Sequence, residues 1–245
     1  MRIAIVSDIH GNLPALEAVV RDIRRRGVDA VVNLGDSLSG PLLPRETAQY
    51  LMEQDWLQLA GNHERQLLTQ DPDQWGPSDA FAHAQLTAAE FAWLATLQHR
   101  AQFNPEVLLC HGTPRSDITY FLDTLEPAGM RVATRNEVDA RLGQVSAELV
   151  ACGHTHIPRA LRASTGQWIV NPGSVGLQAY DDVHPYPHVV ETGSPDARYA
   201  IVERQADGWS STLIAVPYAY QAMVQLAHKN QRPDWAHALA TGYMP

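Results

Sequence analysis

The stretch Val150-Ala-Cys-Gly-His154-Thr-His156 is a short apolar run that stops at a glycine and then presents two histidines. Side chains two positions apart on an extended backbone point to the same face. One strand end can therefore direct both imidazoles into one space, which favours a metal site. Taken alone, such a pair is equally typical of core or surface histidines. The metal interpretation depends on the rest of the chain, where four more segments end in a similar way.

The N-terminal segment has the same organisation. Residues 3–7 form a continuous apolar run, typical of a strand covered on both faces, and Asp8-Ile-His10-Gly-Asn12 follows directly. The apolar spacing beyond it predicts a helix from about Pro14 to Arg26, with Asn12 capping its start. Because open α/β sheets bind ligands at the carboxyl ends of their strands, we expect Asp8 and His10 to lie at such an edge.

Three further apolar segments deliver polar residues at their ends. Ala30-Val-Val-Asn-Leu-Gly35 is followed by Asp36, Trp56-Leu-Gln-Leu-Ala60 by Gly61-Asn62-His63-Glu64, and Val107-Leu-Leu-Cys110 by His111. For any one of them alone, a turn or a helix cap is the more usual role of an aspartate or asparagine after a strand. Together they repeat one arrangement, in which a buried strand ends on a candidate metal ligand.

Composition limits the class of protein. With 245 residues, 45% hydrophobic and 18% charged, the chain is predicted to form a single domain over residues 1–245. A net charge of −9 gives no basic footprint for long nucleic acids. The sequence has two cysteines, no apolar run of about 18 residues and no signal-peptide pattern at its start. We therefore expect a soluble, cytoplasmic protein that acts on a small molecule and binds no membrane, and its oligomeric state stays open.

Several segments are less informative. Residues 65–106 contain helical patterns that are expected to form a wall of the site, and the residues around Phe121 to Leu125 also suggest a helix. Residues 178–197 lack periodicity and contain three prolines, which predicts a long loop. Residues 218–245 are expected to form a helical tail with a disorder-prone end. The glycine-rich turn Asn171-Pro-Gly-Ser-Val-Gly176 either cradles an anion or supports the site.

The strand ends together supply seven oxygen and nitrogen donors, and no thiolate is required. That number is too large for one tetrahedral zinc ion and suits two adjacent divalent ions that share a bridging carboxylate. The candidate ligands are Asp8, His10, Asp36, Asn62, His111, His154 and His156. Two dications beside two aspartates leave a positive site, so an acidic protein can hold a phosphate ester. Manganese is favoured, while iron, zinc, nickel and cobalt suit the same donors.

The order of these motifs resembles the calcineurin-like metallophosphoesterase superfamily. The motifs that carry the resemblance are Ser7-Asp-Ile-His10, Leu34-Gly-Asp36, Gly61-Asn-His63-Glu64, His111-Gly and Gly153-His-Thr-His156. The turn Asn171 to Gly176 is similar to that of the small bacterial and archaeal phosphodiesterase-like branch. This resemblance implies an α/β fold, a four-layer α/β/β/α sandwich of two mixed sheets flanked by helices, with the metal site at the carboxyl ends of the strands.

The resemblance also implies roles for individual residues. Asp8, His10 and His156 would hold the first metal; Asn62, His111 and His154 would hold the second; Asp36 would bridge both. His63 would be catalytic and would stabilise the phosphoryl charge or protonate the leaving alkoxide. The implied reaction is hydrolysis of phosphodiesters or small phosphomonoesters, in which a metal-bridged hydroxide attacks phosphorus.

One departure from the family bears on the substrate. Phosphoprotein phosphatases follow the Gly-Asp motif with Asp-Arg-Gly, whereas here Gly35-Asp36 is followed by Ser-Leu-Ser-Gly-Pro. The sequence therefore disfavours a protein phosphatase without excluding it. Arg115 is a candidate replacement contact for phosphate, or else a surface arginine, and Asn12 is a second candidate substrate contact. The alternatives that remain open are a protein phosphatase, a mononuclear metal-binding regulator and a non-catalytic protein-binding scaffold of the same fold.

Overall fold

The computed structural model describes residues 1–245. The strands are β1 (Arg2–Val6), β2 (Ala30–Asn33), β3 (Leu57–Gln58), β4 (Arg100–Asn104), β5 (Val107–Cys110), β6 (Asp123–Glu126), β7 (Gly129–Val132), β8 (Leu149–Ala151), β9 (Arg159–Arg162), β10 (Trp168–Asn171), β11 (Ala179–Asp182), β12 (His188–Glu191), β13 (Ala197–Gln205) and β14 (Gly208–Val216). The helices are α1 (Leu13–Arg26), α2 (Pro44–Met52), α3 (Asn62–Thr69), α4 (Pro77–Gln85), α5 (Ala88–Leu94), α6 (Arg135–Leu142), α7 (Gln221–Lys229) and α8 (Pro233–Thr241), with a short 3₁₀-helix at Pro72–Gln74.

Two five-stranded mixed sheets form the centre of the fold. The first has the strand order β14-β13-β1-β2-β3 and the second has the order β4-β5-β8-β10-β9. In the first sheet, β1, β2 and β3 are parallel, while β13 lies antiparallel to β1. In the second sheet, β8 is parallel to both β5 and β10. Because parallel strands run in one direction, their carboxyl ends lie together at one edge of each sheet.

The alternation of side chains along β1 explains the layers. Ile3 and Ile5 are buried between the sheets, in a cluster that contains Leu109 of the second sheet. Ala4 and Val6 face the other way, because neighbouring residues on a strand point to opposite faces, and they pack in a cluster with α1. On the far side of the second sheet, α6 belongs to a third cluster. The predicted four-layer α/β/β/α sandwich of two mixed sheets is confirmed.

Two hairpins outside these sheets correct the sequence analysis. The helix expected around residues 121–125 is wrong, because β6 pairs with β7 there and the chain reverses at Gly129, whose φ is +119°. The long loop expected over residues 178–197 is also wrong, because β11 and β12 form an antiparallel hairpin within it. His188 and Val190 of β12 are buried while their neighbours are exposed. Four residues are too few for that alternation to stand out between prolines.

The wall segment and the C-terminal segment both contain the helices that the sequence predicts. Helices α3, α4 and α5 occupy most of the expected wall, and β4 then joins the edge of the second sheet. At the end of the chain, α7 and α8 form a buried cluster in which Trp235 and Leu239 take part. The expected disorder-prone end is wrong, because the backbone N–H of Met244 donates to the carboxylate of Glu191 and the side chain of Met244 packs against the same cluster. None of the helices combines the length and the apolar character that a membrane crossing requires.

Candidate metal centre

The seven candidate ligands meet where strands of the two sheets end. Asp8 follows β1, Asp36 follows β2, and Asn62 opens the helix after β3. From the second sheet, His111 follows β5 and His154 follows β8. The two remaining candidates, His10 and His156, each lie two residues beyond a strand-end ligand. The structure therefore brings together residues that span about 150 positions of the sequence.

A first group consists of Asp8, His10 and His156. Their ligand atoms lie within 4.8 Å of one another, and all three side chains are buried. The Nε2 atoms of His10 and His156 are 3.1 Å apart, and Nε2 of His156 is 3.5 Å from Oδ1 of Asp8. These are the three residues that the sequence analysis assigned to one ion, and here they converge on one point.

A second group consists of Asp36, His111 and His154, whose ligand atoms also lie within 4.8 Å of one another. Oδ2 of Asp36 is 3.0 Å from Nε2 of His111, and Oδ1 of Asp36 accepts a hydrogen bond from the backbone N–H of His63. Asn62 is 6% exposed and lines the same cavity as Asp36 and His154. The role of Asp36 as a bridge between two ions stays a prediction.

Backbone carbonyls orient the imidazoles of both groups. Nδ1 of His10, His111 and His156 lies 2.7, 2.9 and 2.8 Å from the carbonyl oxygens of Ser39, Leu34 and Leu177, respectively. A carbonyl can only accept, so Nδ1 carries the proton and donates, and in the neutral ring Nε2 keeps its lone pair. Metal-binding histidines in proteins are fixed in this way, which selects the tautomer.

The donor atoms then face one another without partners. The lone pairs of His10 and His156 meet at 3.1 Å, and two further buried oxygens have no hydrogen bond: Oδ1 of Asp8 and Oδ1 of Asn62. Leaving such an atom unsatisfied costs about 1–3 kcal/mol. A divalent cation in each group would satisfy them, and carboxylate, amide and imidazole donors suit borderline transition metals. The residues fit two divalent ions.

The backbone at these positions is strained. Five of the seven candidates have a left-handed backbone that non-glycine residues rarely adopt, with φ between 52° and 69°: Asp8, His10, Asp36, His154 and His156. Such conformations cost about 1–3 kcal/mol each and cluster at functional sites. Neighbouring glycines make room for the strained turns. A Cβ on Gly61 would lie 2.1 Å from Oδ1 of Asp36, so only glycine fits there.

The electrostatics of the group favour cations. Burial raises the pKa of Asp36, but the imidazoles of His111 and His63 outweigh it and hold that pKa well below its usual value. Burial and a neighbouring imidazole lower the pKa of His10 to about 4, and burial and His111 lower that of His154 to about 4. These two rings are therefore neutral at pH 7 and ready to bind metal, since a ligand histidine must be deprotonated.

His63 lies beside the two groups with a partner that the sequence analysis missed. Its Nδ1 is 2.8 Å from Oδ1 of Asp79, a residue of α4 that is 4% exposed. Burial lowers the pKa of His63, but the negative charges of Asp36 and Asp79 outweigh burial and raise that pKa to about 10. Asp79 stands in the first turn of a helix, where an acidic residue is ordinary. Nothing in the sequence distinguishes it, because its pairing depends on how α3 and α4 pack.

A cavity of about 580 Å³ opens from the two groups toward solvent. Its inner end is lined by buried candidates such as His10, Asp36 and Asn62. Its outer wall consists of side chains from four distant parts of the chain: Gln66, Pro77, Ser78 and Asp79; Tyr120; Tyr180, Asp181, Asp182 and Val183; and Arg232, Asp234, Trp235 and Ala238. The segment predicted as a wall takes part, and so does the C-terminal segment, to which the sequence analysis assigned no chemistry.

The two candidate substrate contacts, Asn12 and Arg115, do not line the cavity. Asn12 is fully buried behind the site. Its side chain accepts from the N–H of Ala15 and donates to the carbonyl of Gly176 and the hydroxyl of Tyr218, so no donor is left for a ligand. The sequence analysis also gave Asn12 a capping role, which is confirmed.

Arg115 donates to the carbonyl of Ala140 at 2.6 Å and lies near Gly143, at the end of α6. It does not line the cavity, whose only arginine or lysine is Arg232. Nothing in the sequence points to Arg232, since 196 positions separate it from Asp36.

The glycine-rich turn after β10 supports the site. The hydroxyl of Ser174 donates to the carbonyl of Asp8 at 2.7 Å, and the amide of Asn171 donates to the carbonyl of Gly153 at 2.7 Å. A Cβ on Gly176 would lie 1.7 Å from the carbonyl oxygen of Ile9. Of the two roles considered for this turn, the structure favours support over anion binding, because its hydrogen bonds go to the strained backbone of the ligand residues.

The histidines of the 179–191 hairpin do not line the cavity. His188 instead acts through Tyr120, which does. Nδ1 of His188 donates to the carbonyl of Tyr186, so Nε2 accepts from the hydroxyl of Tyr120 at 2.8 Å. The oxygen of Tyr120 lies 2.5 Å from the hydroxyl of Tyr180. The rings of Tyr120 and Tyr180 contact the edges of His154 and His156, with centroids 5.1 and 4.7 Å apart.

Comparison with known proteins agrees with this geometry. The family model of the calcineurin-like phosphoesterase superfamily domain matches residues 1–193. The uncharacterized protein MJ0912 of Methanocaldococcus jannaschii is 25% identical over 255 aligned positions, which cover 95% of this chain and 94% of that protein.

Two solved structures are similar over nearly the whole chain. The metallophosphoesterase from Sphaerobacter thermophilus is 26% identical with a TM-score of 0.75, and the match covers 99% of both chains. The hypothetical protein PH1004 from Pyrococcus horikoshii OT3 is 15% identical with a TM-score of 0.76, and the match covers 100% of this chain and 99% of that one. The second likeness shows the fold alone. Both matches extend over the part of this chain that forms α7 and α8.

Proposed function

The chain belongs to the calcineurin-like phosphoesterase superfamily, and from this premise we propose that it is a dinuclear metal-dependent phosphoesterase that hydrolyses phosphodiester bonds, with small phosphomonoesters as the second substrate class. One observation carries the proposal. Buried donor atoms with no hydrogen-bond partner converge in two adjacent groups at the inner end of one cavity. Such an arrangement is unfavourable in an empty interior and favourable around cations.

Two divalent cations, when bound, supply positive charge that acidifies a water molecule and neutralises the phosphoryl oxygens. Asp8, His10 and His156 would hold one ion, and Asn62, His111 and His154 the other, with Asp36 shared between them. Manganese is favoured, and iron, zinc, nickel and cobalt suit the same donors. The carbonyl contacts of the imidazoles keep these donors oriented, so little reorganisation is needed on binding.

His63 is the proposed proton donor. Asp79 holds its Nδ1–H at 2.8 Å and stabilises the imidazolium form; in the metal-free chain, Asp36 and Asp79 together raise the pKa of His63 to about 10. Its side chain is about one-third exposed and lines the cavity. Nε2–H can therefore donate to a phosphoryl oxygen or to the leaving alkoxide. A positioned general acid contributes a factor on the order of 10² to 10⁴ in rate.

The charges around the cavity support a diester over a monoester. A phosphomonoester carries more negative charge than a phosphodiester, and protein groups must balance that difference. The only arginine or lysine that lines this cavity is Arg232, whose Nη2 lies 2.6 Å from the carboxylate of Asp234. The arginine that phosphoprotein phosphatases place on the phosphate has no counterpart here. A small substrate is proposed rather than a long nucleic acid, because the chain is acidic.

Chelator-stripped protein tests the proposal with bis-p-nitrophenyl phosphate and p-nitrophenyl phosphate, each with and without added manganese. We expect manganese-dependent cleavage of both, with the larger kcat/KM for the diester. A larger kcat/KM for the monoester would move the phosphatase to first place. Bound metal without turnover of either ester, or of a panel of natural diesters, would contradict catalysis. Failure to bind metal would support the scaffold.

A further inference from the structure

The cavity is larger than the phosphoryl group that its inner end would hold. At about 580 Å³, it has the size of sites that enclose a drug-sized ligand, which span roughly 300–1,000 Å³. A substrate whose phosphoryl group sits among Asp36, Asn62 and His154 therefore places its remaining part toward the outer wall. The charges of that wall select which esters fit.

Arg232 is the only arginine or lysine of the outer wall, and the carboxylate of Asp234 neutralises its charge. Nε and Nη2 of Arg232 lie 3.0 and 2.6 Å from the carboxylate oxygens of Asp234, and Nη1 donates to the hydroxyl of Ser78 at 3.0 Å. The guanidinium also lies 5.5 Å from the ring centre of Trp235. These contacts hold Arg232 as a clamp between α4 and α8 and leave the pair without net charge.

Two carboxylates of the same wall have no such compensation. Asp181 and Asp182 end β11 and are exposed at the mouth of the cavity. Neither forms an ion pair with a basic side chain, and Asp182 only accepts the backbone N–H of His184. Together with burial, Asp182 raises the pKa of Tyr120, deeper in the cavity. The negative charge at the mouth therefore acts on the space that a ligand would occupy.

The remaining outer side chains give a second anion little to bind. Leu177, Ala179, Val183 and Ala238 are apolar, and Trp235 has its ring beneath Arg232. The cavity is thus dipolar, with cation-binding groups inside and uncompensated carboxylates outside. A ligand is independently indicated at the inner end, where Oδ1 of the buried Asn62 has no partner.

We propose that Asp181 and Asp182 make the cavity selective for phosphate esters whose non-reacting part carries a cation, over esters that carry a second anion. This inference rests on the proposed function, since it places the phosphoryl group at the inner end. Esters whose non-reacting part is uncharged should bind with intermediate affinity. The alternative is that both carboxylates are solvated and have no effect on ligand affinity.

Three phosphonates of matched length test the inference by binding alone, because their carbon–phosphorus bond is not cleaved: 3-aminopropylphosphonate, propylphosphonate and 4-phosphonobutyrate. Calorimetric titration of manganese-loaded protein at low salt gives the three Kd values. An exposed charge pair contributes only modestly to binding, because water and salt screen it. Two carboxylates should therefore make the amine bind on the order of 10-fold more tightly than the carboxylate, and high salt should reduce that ratio.

The double variant Asp181→Asn/Asp182→Asn should bring the ratio close to one. The control Asp55→Asn/Asp207→Asn removes the same charge from exposed positions outside the cavity and should leave the ratio unchanged. Equal affinities in the wild type, or a ratio that survives the double variant, would overturn the inference and leave the proposed function intact. If 4-phosphonobutyrate bound most tightly and lost this advantage in Arg232→Met, the inference would be overturned, because Arg232 would then select esters that carry a second anion. Failure of all three probes to bind would overturn the proposed function as well.

Discussion

The inner end and the outer wall of the cavity are built in different ways. At the inner end, short segments that follow strands place strained, buried residues such as His10 and His156, and backbone carbonyls fix their rings. The outer wall is assembled from α3 and α4, the β11–β12 hairpin and α8, which meet only in the folded chain. The comparison teaches that strained backbone and carbonyl contacts orient each proposed ligand locally, whereas the side chains of the outer wall are positioned only by how the helices and the hairpin pack.

The largest effect should come from the inner end, in Asp36→Asn. Asparagine keeps the size of the side chain but removes the charge that both groups would share. We expect loss of both metals and a fall in turnover on the order of 10³ or more. Plasma mass spectrometry of desalted protein gives the metal content. Asp55→Asn is the control, and two tightly bound ions with full activity in Asp36→Asn would contradict the shared role.

His63→Ala tests the boundary between the two regions. The side chain contacts Asp79 and is placed in neither donor group. We expect both metals to be retained while kcat falls by a factor on the order of 10² to 10⁴. His99→Ala changes an exposed histidine outside the cavity and should have no effect. Loss of an ion from His63→Ala would show that His63 is a ligand.

Asp79→Asn should change pH dependence more than rate. The folded metal-free chain raises the pKa of His63 to about 10, above the ordinary value of about 6.5. Its protonation therefore stabilises the fold fully below about pH 6.5, and that contribution is lost as pH rises through about 10. Asp79→Asn removes one charge that raises the pKa.

We expect the His63 resonance of metal-free Asp79→Asn to titrate at lower pH, and stability to be lost earlier on the alkaline side. In the manganese-loaded enzyme, the alkaline limb of kcat should also move to lower pH, with a change of about 10-fold or less at neutral pH. Asp73→Asn, on the exposed 3₁₀-helix, is the control. A titration equal to that of the wild type would show that the Asp79 contact does not act on the proton of His63.

The smallest effect on turnover is expected in the outer wall, from Tyr120→Phe. Removing the hydroxyl leaves Nε2 of buried His188 without its donor, which should destabilise the fold by about 1–3 kcal/mol. Urea unfolding measures this loss. Metal content should stay at the wild-type value and kcat should change only a few-fold. The Tyr120 hydroxyl binds His188 and is not one of the proposed metal ligands. A large fall in metal content would show that Tyr120 is required for metal binding at the inner end.

The same contrast explains what the sequence could predict. The four-layer fold could be predicted from the family resemblance, and the meeting of Asp8, His10, Asp36, His111 and His156 from apolar strands that end on ligands together with that resemblance. Asp79 and Arg232 could not be predicted, because each looks like an ordinary helix-terminal residue until the helices pack. The position of Asn12 and Arg115 outside the cavity could not be predicted for the same reason, because a residue beside a motif in the sequence can point away from it in space.

The central claim is that two cations occupy the two donor groups. Crystals of the manganese-loaded protein, measured near the manganese absorption edge, would locate the ions directly by anomalous scattering. The account predicts two peaks, one among Asp8, His10 and His156 and the other among Asn62, His111 and His154, with Asp36 between them. A single peak, or none at these residues in protein that binds manganese in solution, would contradict it.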